Sequence, residues 1–516
     1  MSEMDEKNCT QVMICGSGCA GSLLAWILAQ QGMDVVLVDR GQHPRFAIGE
    51  SSTPLADFQL ERLAQLYALP QLAPLARWGT WKKNYPHLQC GKKRGFSYFG
   101  HRSNARFSDD LQHSHSLLVA ASASDEMSDT HWLRSDVDGW LYDQAQRAGA
   151  IVREGTEIEH CAHDDGGWSV TLRREEGCES WRVGWMVDAT GAGGVIPRSQ
   201  EIQRCDDQLA TRTGSLFGHF ENVKPMTQWL VQEGFDTSSD PFDADDAAQH
   251  HVMDDGWMWM LRFDSGLTSV GITRPTKAWE IEGIARHEPK LAWQQVLDRY
   301  PTLADLLCDS RLVAPSVKDE SGIQVPRMGW IPRISRLWSF AAGERWLALP
   351  STVGVIDPLH STGLAHALSG VERAAEILLR EDGSWRQRAL VDRYRRQVVD
   401  EVKWIDQLVA ICYAALPDFD LFTAVCSFYF IAAIECEHEL STEGKMSNGF
   451  LGAACPAWRE LVPKFTEELA SGTAHASDTS RAKFIDRVRR SIEPWNRAAL
   501  LSPHSQNRFA RTAAAK

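Results

Sequence analysis

Gln11-Val12-Met13-Ile14-Cys15-Gly16-Ser17-Gly18-Cys19-Ala20-Gly21-Ser22 runs from an apolar stretch through three glycines into a segment where Leu23, Leu24, Ile27 and Leu28 recur at helical spacing. Asp34 to Asp39 then reads as a second strand. Strand, helix and strand make one βαβ unit, which requires a parallel sheet. The pattern Gly-x-Gly-x-x-Gly at this junction fits a bound dinucleotide. Gly16 permits the tight turn, Gly18 lets the backbone approach a pyrophosphate, and Gly21 allows helix and strand to pack closely. The loop also carries Cys19 and Ala20, where the helix start presents free N–H groups and about half a positive charge. Asp39, closing the second strand, is placed to accept hydrogen bonds from ribose hydroxyls. The bland reading is a glycine turn at an ordinary strand-to-helix junction; the acid at the end of the second strand argues against it.

Working outward, the chain has 516 residues, which predicts two or three domains or one core with large insertions. Its 43% apolar and 24% charged content is that of a globular protein. A formal charge of -14 without a long basic block disfavours nucleic acid and anionic membrane as partners and points to a small organic substrate. The polar, acidic start at Met1 to Asn8 lacks the pattern of a secretory signal. Twelve cysteines without CxxC pairs or zinc spacing fit reduced thiols in the cytoplasm and disfavour structural metal. The most apolar run, Leu421 to Ile434, is shorter than the ~20 residues that span a bilayer and is read as a buried helix.

The expected architecture is α/β: a Rossmann-like, glutathione-reductase-like dinucleotide domain with an inserted antiparallel sheet and C-terminal helices. Residues 1–208 form the first part of the dinucleotide domain, with an insertion near 76–133. Residues 209–330 form a mixed sheet on the substrate side, 331–380 return to the dinucleotide domain, and 381–516 are helical. Within these, Asp136 to Ala148 reads as a helix with Asp136 as N-cap, Trp168 to Arg173 and Trp181 to Asp188 as paired strands, and the tail after Ser502 as frayed.

Several further segments carry a resemblance. Gly49-Glu50-Ser51-Ser52-Thr53-Pro54, Arg134 with Asp138, Asp188-Ala189-Thr190-Gly191, Trp257-Met258-Trp259 and Asp357-Pro358-Leu359-His360-Ser361-Thr362-Gly363 together resemble flavin-dependent halogenases and related FAD monooxygenases over most of the first 380 residues. The resemblance implies FAD as cofactor, used as FADH2 with O2 and a halide. It also implies a separate flavin reductase, since no second βαβ glycine motif offers a nicotinamide site. Cofactor contacts are expected from Glu50, Ser51, Arg134, Asp188, Asp357, Thr362 and Gly363. Arg134 and Asp138 lie four apart and could equally be a helix-surface pair, and Asp188 could merely cap a strand.

The resemblance implies that Trp257 and Trp259, two apart on a strand and so pointing the same way, form a wall between flavin and substrate. An aromatic pair in a sheet core is the plainer alternative. Arg262 stands where the family signature has proline. The family also uses a lysine to deliver the halogen. The matching region is Pro74 to Lys83, where Ala76 or Arg77 occupies the expected place and Lys82 or Lys83 must serve instead, although a solvated basic pair is the simpler reading. The family's Gly-Asp-Ala is replaced by Leu349-Pro350-Ser351-Thr352, and His360 is a candidate general base or a helix-entry histidine bonded to backbone. Halogenation of an electron-rich aromatic, free or tethered to a carrier, is the leading expectation. Hydroxylation or dehydrogenation on the same scaffold is the alternative.

Overall fold

A computed structural model of the chain describes residues 8–510, except 165, 282–287, 319–322 and 381–382. The opening strand Cys9–Cys15 pairs in parallel with Val35–Val38 on one side and with Gly177–Asp188 on the other. The sheet continues in parallel to Ile151–Arg153 at one end and to Trp346–Ala348 at the other. Strand Val35–Val38 is fully buried, as a parallel strand covered on both faces must be. The helix Cys19–Gln30 packs against helices Arg134–Arg147 and Gly363–Leu379, so the segment after residue 340 returns to the nucleotide sheet.

The second sheet collects strands from distant parts of the chain. Its order is Arg311–Ala314, Thr213–Glu221, Thr268–Pro275, Gly256–Arg262, Ala248–Met253, Gly95–Gly100, Ser116–Ala120 and Arg508–Phe509, with Gly329–Ile331 also paired to Thr213–Glu221. It is antiparallel except where Ala248–Met253 meets Gly95–Gly100 and where Arg508–Phe509 meets Leu118 and Val119.

Two local expectations change, at the tail and at the helix expected from Asp136, while the reading of the apolar run as a buried helix holds. The tail past Ser502 is anchored: Arg508 donates to Asp240 Oδ1 at 2.5 Å and to Ser116 Oγ at 2.8 Å. The helix expected from Asp136 begins at Arg134, and Leu133 precedes it without a side-chain cap. The apolar run lies in the 25-residue helix Phe419–Glu443, which is long and apolar enough to cross a membrane, yet 89% of its most apolar window is buried inside the fold. It packs on the 31-residue helix Trp385–Ala415 and on Asp478–Ile492. Asp418 caps its start by accepting from Leu421 N.

Candidate active site

One cavity of about 1020 Å³ runs from the glycine loop to the tryptophan strand. That is the upper end of the ~300–1,000 Å³ usual for cofactor and ligand sites. At its nucleotide end Gly16 has φ +103°, and a Cβ there would stand 2.5 Å from the Ala189 carbonyl oxygen. A Cβ on Gly21 would stand 2.0 Å from Gly16 O, so helix and loop meet at a distance only glycine allows. Gly18, Cys19 and Ala20 line the same wall. Asp39 accepts from Ser17 N at 2.7 Å, from Gly41 N at 2.8 Å and from both terminal nitrogens of Arg45 at 2.7 and 2.8 Å. Burial pushes its carboxyl up, but the Ser17 amide and Arg45 outweigh that and hold it below the usual range. Arg45 itself lines the cavity, an anion-binding group that the motif alone does not disclose.

Arg134 and Asp138 do not form a surface pair. Asp138 is buried and Arg134, with 11% of its side chain exposed, is joined to it by two hydrogen bonds of 2.8 and 2.9 Å, and Arg134 Nη1 also donates to the Ile48 and Gly49 carbonyls at 3.0 Å. Burial disfavours the guanidinium, yet Asp138 outweighs it and raises the arginine. The pair thereby fixes the turn that presents Glu50 and Ser51 to the cavity. Glu50 Oε1 lies 2.7 Å from His219 Nε2, with both side chains buried. Asp188 is fully buried behind the cavity and does not line it. Its oxygens accept from Thr190 N at 2.9 Å, Thr190 Oγ1 at 2.6 Å and Ile196 N at 2.8 Å, so it shapes the 189–193 loop that does. Thr352 Oγ1, in the stretch replacing Gly-Asp-Ala, accepts from Gly191 N at 3.0 Å and braces the same loop.

At the other end Trp257 and Trp259 both line the cavity, their ring centroids 5.8 Å apart. Gly271 on the next strand leaves room for the Trp259 ring, since a Cβ there would stand 2.2 Å from it. Asp357, also in the lining, accepts from Thr213 Oγ1 at 2.7 Å and from Tyr413 Oη at 2.9 Å. Burial raises its carboxyl, only partly offset by these donors. Thr362 and Gly363 border the cavity at the start of helix Gly363–Leu379, and nothing lies within 4 Å of where a Gly363 Cβ would be. Amide groups at such a helix start suit an anion or a polar ring edge.

The family described as FAD dependent oxidoreductase matches residues 11–346. This chain belongs to that family. The oxidoreductase is 26% identical over 511 residues to tetracycline 7-halogenase of Kitasatospora aureofaciens, spanning 93% of this chain and 86% of that protein. It is 24% identical to the monodechloroaminopyrrolnitrin halogenase PrnC of Pseudomonas fluorescens, over 83% of this chain and 72% of that one. Among solved structures it is similar to halogenase PltM in complex with phloroglucinol and FAD, with a TM-score of 0.80, 25% identity, and coverage of 97% of this chain and 99% of that chain. The residues of the cavity fit FAD: a glycine cradle, Asp39 beside it and an elongated space reaching the indole wall.

Four expected catalytic residues of the oxidoreductase lie outside this cavity. Arg77 is bound to Glu61 Oε1 at 2.6 Å, Lys82 is ion-paired to Asp264 at 2.8 Å, and Lys83 is exposed. The helix Trp78–Asn84 points these basic groups toward solvent and surface carboxylates. His360 is buried, stacked on Tyr429 with centroids 4.3 Å apart, and faces Leu408 O at 3.4 Å and Cys412 Sγ at 3.6 Å. Arg262, the departure from the family proline, leans away from the tryptophans to clamp Asp245 at 2.7 Å and Lys224 O at 2.8 Å.

Sequence reasoning missed Lys93. It lies on strand Cys90–Lys93, is 0% exposed, donates to Ser52 O at 2.5 Å and stands 4.1 Å over the Phe96 ring. Phe96 neighbours His250, which stacks on Trp257 at 5.0 Å, so aromatic rings connect Lys93 to the cavity wall. The signal was strand alternation in Cys90-Gly91-Lys92-Lys93-Arg94. Lys92 faces Asp125 and Asp246, while Lys93 faces inward.

Proposed function

We propose that this oxidoreductase halogenates an electron-rich, phenol-like aromatic, receiving FADH2 from a separate reductase in the cytoplasm. The observation that carries the reading is the Trp257/Trp259 pair closing the far end of a cavity whose near end is the glycine loop. Halogenase relatives aligned over most of the chain support it, and the phloroglucinol bound by PltM supports a phenolic ring. Reduced FAD, with O2 and chloride or bromide, supplies hypohalous acid.

In this reading the loop Gly16 to Gly21 and Arg45 hold the diphosphate, Asp39 the ribose, and the amides at Thr362 and Gly363 a halide or the ring edge. The indoles keep the aromatic away from the cofactor, so the oxidant must travel. Lys93 takes over the delivery role that Lys82 and Lys83 are too far out to fill. A buried ammonium near π faces and a carbonyl both orients an oxidant by hydrogen bonding and, on losing a proton, accepts halogen at nitrogen. Residues 1–208 and 331–380 serve the cofactor, 209–330 the substrate side, and 381–516 close over both.

The test supplies FAD, a reductase, NADH and O2 with phenols, pyrroles and indoles, with and without chloride or bromide. Product masses gaining halogen are expected. A gain of one oxygen regardless of halide overturns the reading.

A further inference from the structure

Behind the tryptophan wall lies a thiol pair that the reaction above does not use. Cys412, on helix Trp385–Ala415, and Cys426, on helix Phe419–Glu443, bring their sulfurs to 3.7 Å, and neither is exposed. His360 Nε2 stands 3.6 Å from Cys412 Sγ, while its Nδ1 is buried without a hydrogen-bond partner. The pair is one layer from the cavity. Cys412 is followed by Tyr413, whose hydroxyl bonds both Trp257 and Asp357, two residues of the cavity lining.

We propose that Cys412 and Cys426 are a dithiol that reduces hypohalous acid overrunning the tryptophan wall, closing to a disulfide as they do so. The inference rests on the halogenase reading. His360 takes the Cys412 proton, and the thiolate attacks the halogen of HO–X. An S–X bond forms, the X–O bond breaks, and the departing hydroxide recovers the proton as water. Cys426 then attacks Cys412 sulfur, releasing halide, and its own proton passes to His360. Two thiols and one hypohalous acid give a disulfide, water, halide and a proton. The halogen gains the two electrons the sulfurs lose.

The two thiols are unequal in the way this chemistry needs. Burial raises both, but for Cys412 the S–H bond from Cys426 and the adjacent His360 outweigh burial and lower it, while Cys426 stays raised. The first is the nucleophile, the second the resolving thiol. The sulfurs must close from 3.7 Å to the ~2.05 Å of a disulfide, across two helices that pack against each other.

Two arms test this, read by peptide mapping after alkylation. In the first, one equivalent of hypochlorous acid is added to the resting, FAD-loaded protein in which the exposed Cys9, Cys178 and Cys308 are replaced by serine. A 412–426 cross-link is expected, reversed by dithiothreitol; oxidation elsewhere with both thiols intact overturns the proposal. In the second, the FAD-loaded enzyme turns over with reductase, NADH, O2 and catalase but no aromatic substrate. The cross-link should require chloride or bromide, and a cross-link that forms equally without halide overturns the role. Cys426→Ser should leave Cys412 carrying oxygen in place of the cross-link and shorten the enzyme's working life about threefold; an unchanged lifetime also overturns it. If the phenol, pyrrole and indole assay yields no halogenated product while the first arm gives the cross-link, the proposed function alone fails.

Discussion

The Tyr413 hydroxyl joins Trp257 to Asp357, accepting the indole N–H at 3.0 Å and donating to the carboxylate at 2.9 Å. A residue of the C-terminal helices thus orients the indole wall against the turn that opens helix Gly363–Leu379. Tyr413→Phe leaves the indole N–H without its acceptor and removes one donor from a buried carboxylate. We expect a roughly tenfold loss of halogenation kcat, about 1.4 kcal/mol of barrier, with FAD affinity nearly unchanged. Flavin titration beside product rates checks the split, and equal losses in both would refute the positioning role.

Lys93→Met keeps the volume of the buried side chain while removing its nitrogen. Halogenated product should fall at least about 100-fold, with NADH oxidation and flavin binding retained. Lys82→Ala and Lys83→Ala should each stay near the parent rate. Loss of product in either surface variant would return the delivery role to helix Trp78–Asn84.

Acid stability should depend on Glu401. Burial pushes its carboxyl up, but Arg373, bonded at 2.9 and 3.0 Å, and His366 at 3.0 Å outweigh that and bring it down to about 2. A depressed folded-state value stabilises the fold above the unfolded carboxyl range near pH ~4.3 and is lost as pH falls toward 2. The contribution is about 3 kcal/mol. Denaturant unfolding of Glu401→Gln from pH 7 to pH 3 should show lower stability at neutral pH and a flatter acid limb than the parent. A parallel acid limb would sink the assignment.

Gly16→Ala places a methyl against the Ala189 carbonyl at a backbone angle that favours glycine. The variant should purify with little flavin and bind FAD at least about tenfold more weakly in fluorescence titration.

What was legible in the sequence is what is local. The strand–glycine–helix–strand opening lies within a few residues of its reading, because apolar period and glycine spacing are consequences of neighbouring residues. Trp257 and Trp259 stand out through the family resemblance, and the two-residue strand repeat then sets both side chains on one face. Lys93 was lost inside a basic run, since charge argues for solvent until the strand's pairing with Asp129–Trp132 shows which lysine turns inward. His360 sits two residues from the cavity-lining Thr362, yet its ring is claimed by Tyr429 on a helix the sequence could not dock. Arg262 looked like a broken motif and is a clamp, because its partners at residues 223–245 come from another loop.

The last strand has a consequence for how the molecule is made. Arg508–Phe509 closes an edge begun at Ser116–Ala120, so contacts nearly 400 residues apart complete the sheet that carries the tryptophan wall. During synthesis that edge stays open while nearly 400 residues are added, which at ~5–20 residues per second takes roughly 20 to 80 seconds. Folding should therefore be slow, late and sensitive to chaperone supply, and yield should respond more to growth temperature than to the stability of the finished fold.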